Sequence, residues 1–340
     1  MKDYNKAFLF DGWRFLSKLT YKRIFNLLKL KLSYLISRIS GRSVHWGKPF
    51  SASIEPTTLC NLHCPECPSG LRKFSRPTGK LELDLFQKYI TELGDQMMYL
   101  ILYFQGEPFL NPHFFEFVKY AKSRKLYTAT STNGHFLSEQ LAQRTVYSGL
   151  DRLIISLDGT DAATYLKYRS GGDYEKVIQG IRNIVKAKKD SNFRGPFIVL
   201  QFIIFGTNEH QLEDIKILAK ELGVDKLELK TAQVYEFEEG NPLIPKNERY
   251  SRYQKQADGQ YRIKSKMPNR CYRMWSGTVV TWDGSMVPCC FDKDADHVLG
   301  SLNDHSFQQI WKGENYHQFR STLHKGRKHI DICQNCIEGL

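Results

Sequence analysis

The chain has 340 residues, 41% hydrophobic and 25% charged, which excludes a disordered tract and leaves material for one large core or two unequal ones. Its net charge is +13, and its eight cysteines stand at 60, 64, 67, 271, 289, 290, 333 and 336. That bunching excludes the spread of a disulfide framework; with no secretory signal ahead of it, a cytoplasmic, reducing setting is expected and the thiols read as metal ligands.

The positive charge is concentrated at the start. Residues 1–47 hold ten Lys or Arg against Asp3 and Asp11. Apolar side chains recur there at helical spacing, among them Tyr21, Phe25, Leu28, Leu32, Leu35 and Ile39, so residues 1–49 are expected to form a basic amphipathic helical extension. Lysines interrupt the run too often for a transmembrane span. Such a helix either makes a peripheral contact with an anionic membrane or a partner, or packs its stripe on its own domain, and periodicity does not choose. Nucleic acid is not an expected partner, because no DNA- or RNA-binding motif accompanies the basic run.

From residue 50 onward, short β-rich runs alternate with longer helical patterns. The runs are SASIE (51–55), YLILYF (99–104), YTATST (127–132), RLIISL (152–157), FIVLQFIIF (197–205) and KLELKT (226–231). Helical stretches lie between them, several ending at or near Gly. Six β/α units predict an α/β domain with parallel strands over 50–240, and parallel strands place ligands at their carboxyl ends. Residues 241–264 are expected as a linker and 265–340 as a small C-terminal domain.

The loop after the first strand reads CNLHCPEC, residues 60–67. Structural zinc takes four ligands, and only Cys60, Cys64 and Cys67 are local unless His63 joins them. Three thiolates on a cubane iron-sulfur cluster would instead leave one iron open, and a redox thiol pair is a further alternative.

The C-x3-C-x2-C spacing after a first strand resembles the radical S-adenosylmethionine (radical SAM) superfamily, and the likeness continues along 50–235. It implies a partial (β/α)6 TIM-like barrel, and a [4Fe-4S] cluster on Cys60, Cys64 and Cys67 whose open iron binds SAM. After the second strand FQGEPFL is similar to the family's GGEP motif, with Gln105 in place of the first glycine. The resemblance implies that Gly106, Glu107 and Pro108 meet the amino group of the methionine moiety. Thr132 and Asn133 of STNG, and Ser156 and Asp158 of SLDG, would line the cofactor pocket. Arg169 of YRSGGDYEKV would meet the SAM carboxylate.

Further on, WSGTVVTWDGSMVPCC reads as a β-hairpin turning at Asp283-Gly284, followed by a helical segment and CQNC. Four thiolates gathered this way suit zinc or a closed four-iron cluster equally on spacing alone. The pattern resembles the SPASM/twitch domain, in its shorter twitch form since only four residues follow Cys336. By that likeness Cys271, Cys289, Cys333 and Cys336 ligate one auxiliary [4Fe-4S] cluster. Cys290 is the spare, because G-x4-C selects Cys289 and neighbours on a strand face opposite ways.

Together these imply an enzyme that reductively cleaves SAM to a 5′-deoxyadenosyl radical and abstracts hydrogen from a substrate. The auxiliary cluster as acceptor makes the net reaction a two-electron oxidation, and a flavodoxin or ferredoxin is the implied reducing partner. Lys230 and Glu236 lie at strand ends where a base would serve, though each reads more simply as surface charge. A peptide- or protein-modifying maturase is the alternative within the family, and the helical first fifty residues lean away from a leader-peptide substrate. A non-catalytic iron-sulfur electron carrier or redox sensor, and a zinc-binding structural protein, leave FQGEP, STNG and SLDG unexplained.

Overall fold

The computed structural model describes residues 2–191 and 195–337, with side chains from Ala7 onward. Six strands follow one another in chain order: β1 (Ser51–Ile54), β2 (Tyr99–Ile101), β3 (Tyr127–Thr132), β4 (Arg152–Ser156), β5 (Phe197–Ile204) and β6 (Lys226–Thr231). Each lies within the β-rich run that predicts it. They are parallel and joined by helices, the α/β architecture of a partial TIM barrel.

The chain divides into two compact units. One comprises residues 1–14, 60–73 and 129–264; the other comprises 15–59, 74–128 and 265–340. In the first unit β3, β4, β5 and β6 pair in sequence, with Thr132 beside Ile155, Ser156 beside Gln201 and Ile204 beside Thr231. β5 is buried along nearly its whole length, as its unbroken apolar run requires. The helices between start on side-chain caps: Ser138 for Glu139–Ser148, Asp161 for Ala162–Leu166 and Asp173 for Tyr174–Asp190. Residues 241–264 are not a bare linker. They carry a two-stranded antiparallel ribbon, β7 (Tyr253–Lys255) and β8 (Tyr261–Ile263), turning near Gly259 at φ 87°.

In the second unit β1 is central. It pairs in parallel with β2, Ser51 beside Tyr99, and with β9 (Gly277–Val280), Ser51 beside Gly277. β10 (Ser285–Val287) and β11 (Gly300–Ser301) extend the sheet antiparallel. The β9–β10 connection is the hairpin expected from sequence. Gly284 has φ 88°, and Gly284 N–H donates to Thr281 O at 3.0 Å while Thr281 N–H donates to Ser285 O at 2.9 Å. This is a three-residue loop with glycine in the left-handed position. The helical segment beyond it breaks at Gly313 into Phe307–Trp311 and Glu314–Gly326.

The N-terminal extension forms two helices, α1 (Lys2–Leu16) and α2 (Tyr21–Ser40), the second capped by the Thr20 side chain and ended by Gly41 at φ 66°. In the first unit α1 is tied down by Arg14–Asp151 at 2.5 Å and by an Asp11–Arg152 pair. In the second unit α2 buries Arg23, Asn26, Leu30, Ser33, Tyr34 and Ser37. Among the described residues no helix is long and apolar enough to cross a membrane.

Candidate active site

The cysteine loop belongs to the first unit and is held by its neighbours' backbone. His63 N–H donates to Ser170 O at 2.8 Å, and Cys67 N–H to Cys64 O at 3.3 Å. Gly70 is required here for close approach, since a Cβ would lie 2.5 Å from Cys64 N. Cys64 is buried, and Cys60 and Cys67 are half-buried. All three pack on an apolar cluster that includes Leu62, Tyr168, Phe205, Val234 and Ile244. The His63 ring lies against Gly171, where an added Cβ would sit 3.1 Å from His63 Cδ2.

Residues from the ends of β3 and β4 surround this loop. Asn133 donates from Nδ2 to Asn61 Oδ1 at 2.7 Å, with Cys60 Sγ 3.9 Å away. Its Oδ1 accepts the backbone N–H of His135 at 3.1 Å and faces His135 Nδ1 at 3.0 Å. Because Asp173 N–H donates to His135 Nε2 at 2.8 Å, the ring proton belongs on Nδ1, where it bonds Asn133. Burial, before any neighbouring charge, holds the His135 imidazole below its ordinary value. Thr132 Oγ1 accepts Gly134 N–H at 3.1 Å, closing the STNG turn. Ser156 is buried at the end of β4.

Asp158 is fully buried and saturated: Oδ1 accepts Ile203 N–H at 2.7 Å and Oδ2 accepts Arg169 Nε at 2.6 Å. Burial pushes this carboxyl up, and the Arg169 charge opposes the push. Burial works against the Arg169 charge, but Asp158 and then the Cys64 thiol raise its pKa well above the ordinary value. The Cys64 thiol is itself pushed up by burial and pulled back by Arg169. Arg169 thus stands between an acidic residue and a cluster-motif thiol, which nothing in its local sequence announces.

The GEP turn belongs to the second unit. Gly106 has φ 73°, and a Cβ there would sit 2.2 Å from Thr57 O, a contact only glycine avoids. Glu107 N–H donates to Leu59 O at 2.7 Å, and its Oε1 accepts Phe109 N–H at 3.3 Å; Glu107 and Pro108 are buried. The turn is therefore fastened to the residue that precedes Cys60 in the chain.

The second cysteine group also lies in this unit. Burial, followed by the thiols of Cys290, Cys271 and Cys333, pushes Cys289 well above its ordinary value. Cys333 is pushed up to about 11, first by burial and then by Cys271 and Cys336, against the pull of Arg327. Cys271 and Cys333 thus lie close enough to act on Cys289, and Cys271 and Cys336 close enough to act on Cys333. Cys290 Sγ in addition lies 2.8 Å from Arg273 Nη1. The two adjacent cysteines lie in a bend beyond β10 rather than on a strand, so strand alternation does not separate them; Pro288 stops the ladder just before. Arg327, 1% exposed, is the residue that sequence reasoning missed. Three thiols, Cys336, Cys271 and Cys333, raise its pKa against the effect of burial.

Both donor sets fit iron-sulfur clusters. Among the described residues no three Cys, His, Asp or Glu side chains converge as one metal ion demands. A cubane instead gives each thiolate its own iron, and an apolar wall with a nearby guanidinium suits its charge.

Two family descriptions match this chain. That of the radical SAM superfamily covers residues 54–219, and that of the SPASM iron-sulfur cluster-binding domain covers 271–337. The chain belongs to the radical SAM superfamily and carries a C-terminal SPASM domain. Among curated relatives, the AdoMet-dependent heme synthase of Methanosarcina barkeri is 30% identical over 50% of this chain and 46% of its own length. The tungsten-containing aldehyde ferredoxin oxidoreductase cofactor-modifying protein of Pyrococcus furiosus is 25% identical over 78% of this chain and 82% of its own. The chain thus spans about half the length of the first relative and about four fifths of the second. Among solved structures, BtrN with AdoMet and 2-DOIA shares the fold at TM-score 0.54 and 20% identity, over 85% of this chain and 93% of that one. The structure of anSMEcpe with AdoMet does so at TM-score 0.59 and 17% identity, over 84% and 85%.

The remaining sequence candidates for a base are placed without distinction. Lys230 Nζ lies 3.8 Å from Glu228 and is 47% exposed, and Glu236 is exposed.

Proposed function

We propose that this radical SAM protein is an oxidoreductase that removes two electrons from its substrate. With a cluster on Cys60, Cys64 and Cys67 and SAM bound to it, one-electron reduction supplies a 5′-deoxyadenosyl radical able to take hydrogen from an unactivated carbon. The chain's part is to place and shield. Asn133, fixed by Asn61 and His135, points an amide at Cys60. Asp158 holds Arg169 at Nε, and that guanidinium is the group this reading assigns to a carboxylate such as that of SAM. The GEP turn offers backbone groups for an ammonium, and the apolar wall around the thiols keeps water out.

The observation that carries the oxidative reading is the second thiol set, Cys271, Cys289, Cys333 and Cys336, with Arg327 buried beside it. Hydrogen abstraction alone needs no second cluster; withdrawal of a further electron needs an acceptor, and a cluster on these thiols would be one. A small, mainly apolar cavity of about 130 Å³ in the same unit is bordered by Ser53, Tyr103, Arg273, Cys289 and Cys290, next to that set. A flavodoxin- or ferredoxin-type protein is the reductant this reading requires.

The test is anaerobic reconstitution, reduction with dithionite, addition of SAM and chromatography for 5′-deoxyadenosine. The expected protein holds about eight irons per chain and makes 5′-deoxyadenosine. The Cys60→Ala, Cys64→Ala, Cys67→Ala triple variant keeps about four irons and makes none. An iron-loaded wild type that neither binds SAM nor forms product would return the chain to the electron-carrier class.

A further inference from the structure

The helix α2 is turned inside out with respect to an ordinary amphipathic helix. Its buried side is largely polar, with Leu30 and Tyr34 among the polar groups: Arg23 donates to the carbonyls of Asp95, Lys18 and Lys125 at 3.1, 2.5 and 2.9 Å. Asn26 exchanges two hydrogen bonds with Lys48, and Ser37 exchanges two with Val44. These bonds fix the helix's rotation, because turning the leucines inward would strand a guanidinium and an amide.

The outward side is apolar. Tyr21 is 78% exposed, Phe25 59%, Leu28 59%, Leu32 52%, Leu35 48% and Ile39 87%, with Ile24 beside them at 47%. At 3.6 residues per turn these seven fall within about 100° of arc. Lys22 and Lys29 border that arc on one side, and Lys31 and Arg38 border it on the other. The only close ring contacts these four make among the described residues are Lys29 over Phe25 at 4.6 Å and Arg38 over Tyr34 at 5.9 Å. No Asp or Glu occurs anywhere between Asp11 and Glu55.

We propose that α2 docks this protein, lying flat, on an anionic lipid bilayer. The apolar arc enters the acyl boundary, and the two basic edges reach back to the lipid phosphates. Charge decides the occupant. A second copy would bring basic edge against basic edge, with no acidic residue on either helix to pair them. A nucleic acid would match the edges and leave the seven apolar side chains in water. A bilayer carrying acidic headgroups satisfies both. The helix cannot cross the membrane, and it has no need to, since its polar side is fastened to the rest of its unit. This places a SAM-dependent enzyme at a surface where amphiphilic or membrane-bound substrates collect, and it stands independently of the oxidative reading above.

Vesicle flotation of the full-length anaerobic protein tests the proposal. Vesicles of equimolar phosphatidylglycerol and phosphatidylcholine are compared with phosphatidylcholine alone, at low and high salt. Wild type is expected to float with the anionic vesicles and to be released by salt. Leu28→Glu combined with Leu32→Glu lowers the partition coefficient by about tenfold or more with an unchanged melting temperature, because both side chains already face solvent. The combination Lys22→Gln, Lys29→Gln, Lys31→Gln, Arg38→Gln lowers binding to anionic vesicles by up to about a thousandfold, at about 1 kcal/mol for each charge removed, and weakens the preference for anionic over neutral vesicles. Three results overturn the proposal: folded wild type that stays unbound at low salt, flotation indifferent to L28E/L32E, or a dimer in solution that L28E/L32E dissolves while vesicles bind nothing.

Discussion

Replacing Arg76 by methionine strips a buried carboxylate of its counter-charge. Glu55 is fully buried just beyond β1, and the two terminal nitrogens of Arg76 meet it at 2.6 and 2.8 Å while Trp282 N–H adds a third bond at 3.2 Å. A buried pair contributes little compared with an apolar pair of the same shape, yet removing one partner costs about 3–5 kcal/mol because the other charge stays inside. The loss should depend on pH. Burial already raises the Glu55 pKa above its ordinary 4.5, with Arg76 pulling it down, so without Arg76 it rises further. Above 4.5 the unfolded carboxyl is ionised while the folded one keeps its proton. The folded state then binds more protons, and the unfolding free energy of R76M falls as pH rises, by up to about 1.4 kcal/mol per unit. Thermal unfolding of anaerobic protein at about pH 5.5 and about pH 8 reads this directly. R76M should melt about 5–15 °C below wild type at the higher pH and lose less at the lower. Adding Glu55→Gln should restore most of the loss and flatten its pH dependence. An equal loss at both pH values, or a double variant no better than R76M, would refute the reasoning.

Three further outcomes are expected. Gly106→Ala drives a methyl into Thr57 O and demands φ 73° of an L-residue, so 5′-deoxyadenosine formation should fall at least tenfold (about 1.4 kcal/mol) while iron content holds. Iron analysis should show Cys289→Ser losing about four irons per chain and Cys290→Ser losing none, since Cys289 shares its surroundings with Cys271 and Cys333 whereas Cys290 faces Arg273. Burial, then the Arg320 charge, push His45 down to about 3, with its Nε2 3.1 Å from Trp275 O. Its folded pKa lies below the unfolded 6.5, so its contribution is intact above 6.5 and is lost as pH falls toward 3. His45→Gln should therefore unfold at lower pH than wild type in an acid titration, and coincident curves would contradict the assignment.

The strands and the place of the chemistry were legible because their signals are local. A β-rich run bounded by turn residues specifies β1 to β6, and parallel connection puts Cys60, Gly106, Asn133 and Asp158 after their strands. The Asp258-Gly259 turn between two tyrosine-bearing arms was an equally local signal for β7 and β8, hidden only because the surrounding stretch is polar. What lay beyond reading is three-dimensional pairing. The spacing of Tyr21 through Ile39 shows a stripe but not which way it faces; that is decided by the Arg23 bonds to backbone far along the chain and by the Asn26 and Ser37 bonds to Lys48 and Val44 after the helix. Arg327 sits in a run of basic residues that reads as solvated charge, and only the fold takes it to 1% exposure beside Cys333.

The two thiol sets differ in how their buried arginines are spent, and that difference bears on the direction of electron flow. In the first unit the Arg169 charge is shared with Asp158, bonded at 2.6 Å, which offsets part of its pull on Cys64. In the second unit Arg327 donates to the Arg270 carbonyl at 3.1 Å and is raised by Cys336, Cys271 and Cys333 rather than by a carboxylate. A cluster gains negative charge when reduced, and a cation at its thiolates stabilises that added charge in a dry site. By this argument the Cys271, Cys289, Cys333 and Cys336 set is built to hold an extra electron more readily than the Cys60, Cys64 and Cys67 set. In the two-electron oxidation proposed above the first set would give its electron to SAM and the second would accept one from a substrate radical, and a guanidinium shared with a carboxylate at one set but not at the other is the difference that would suit those two roles.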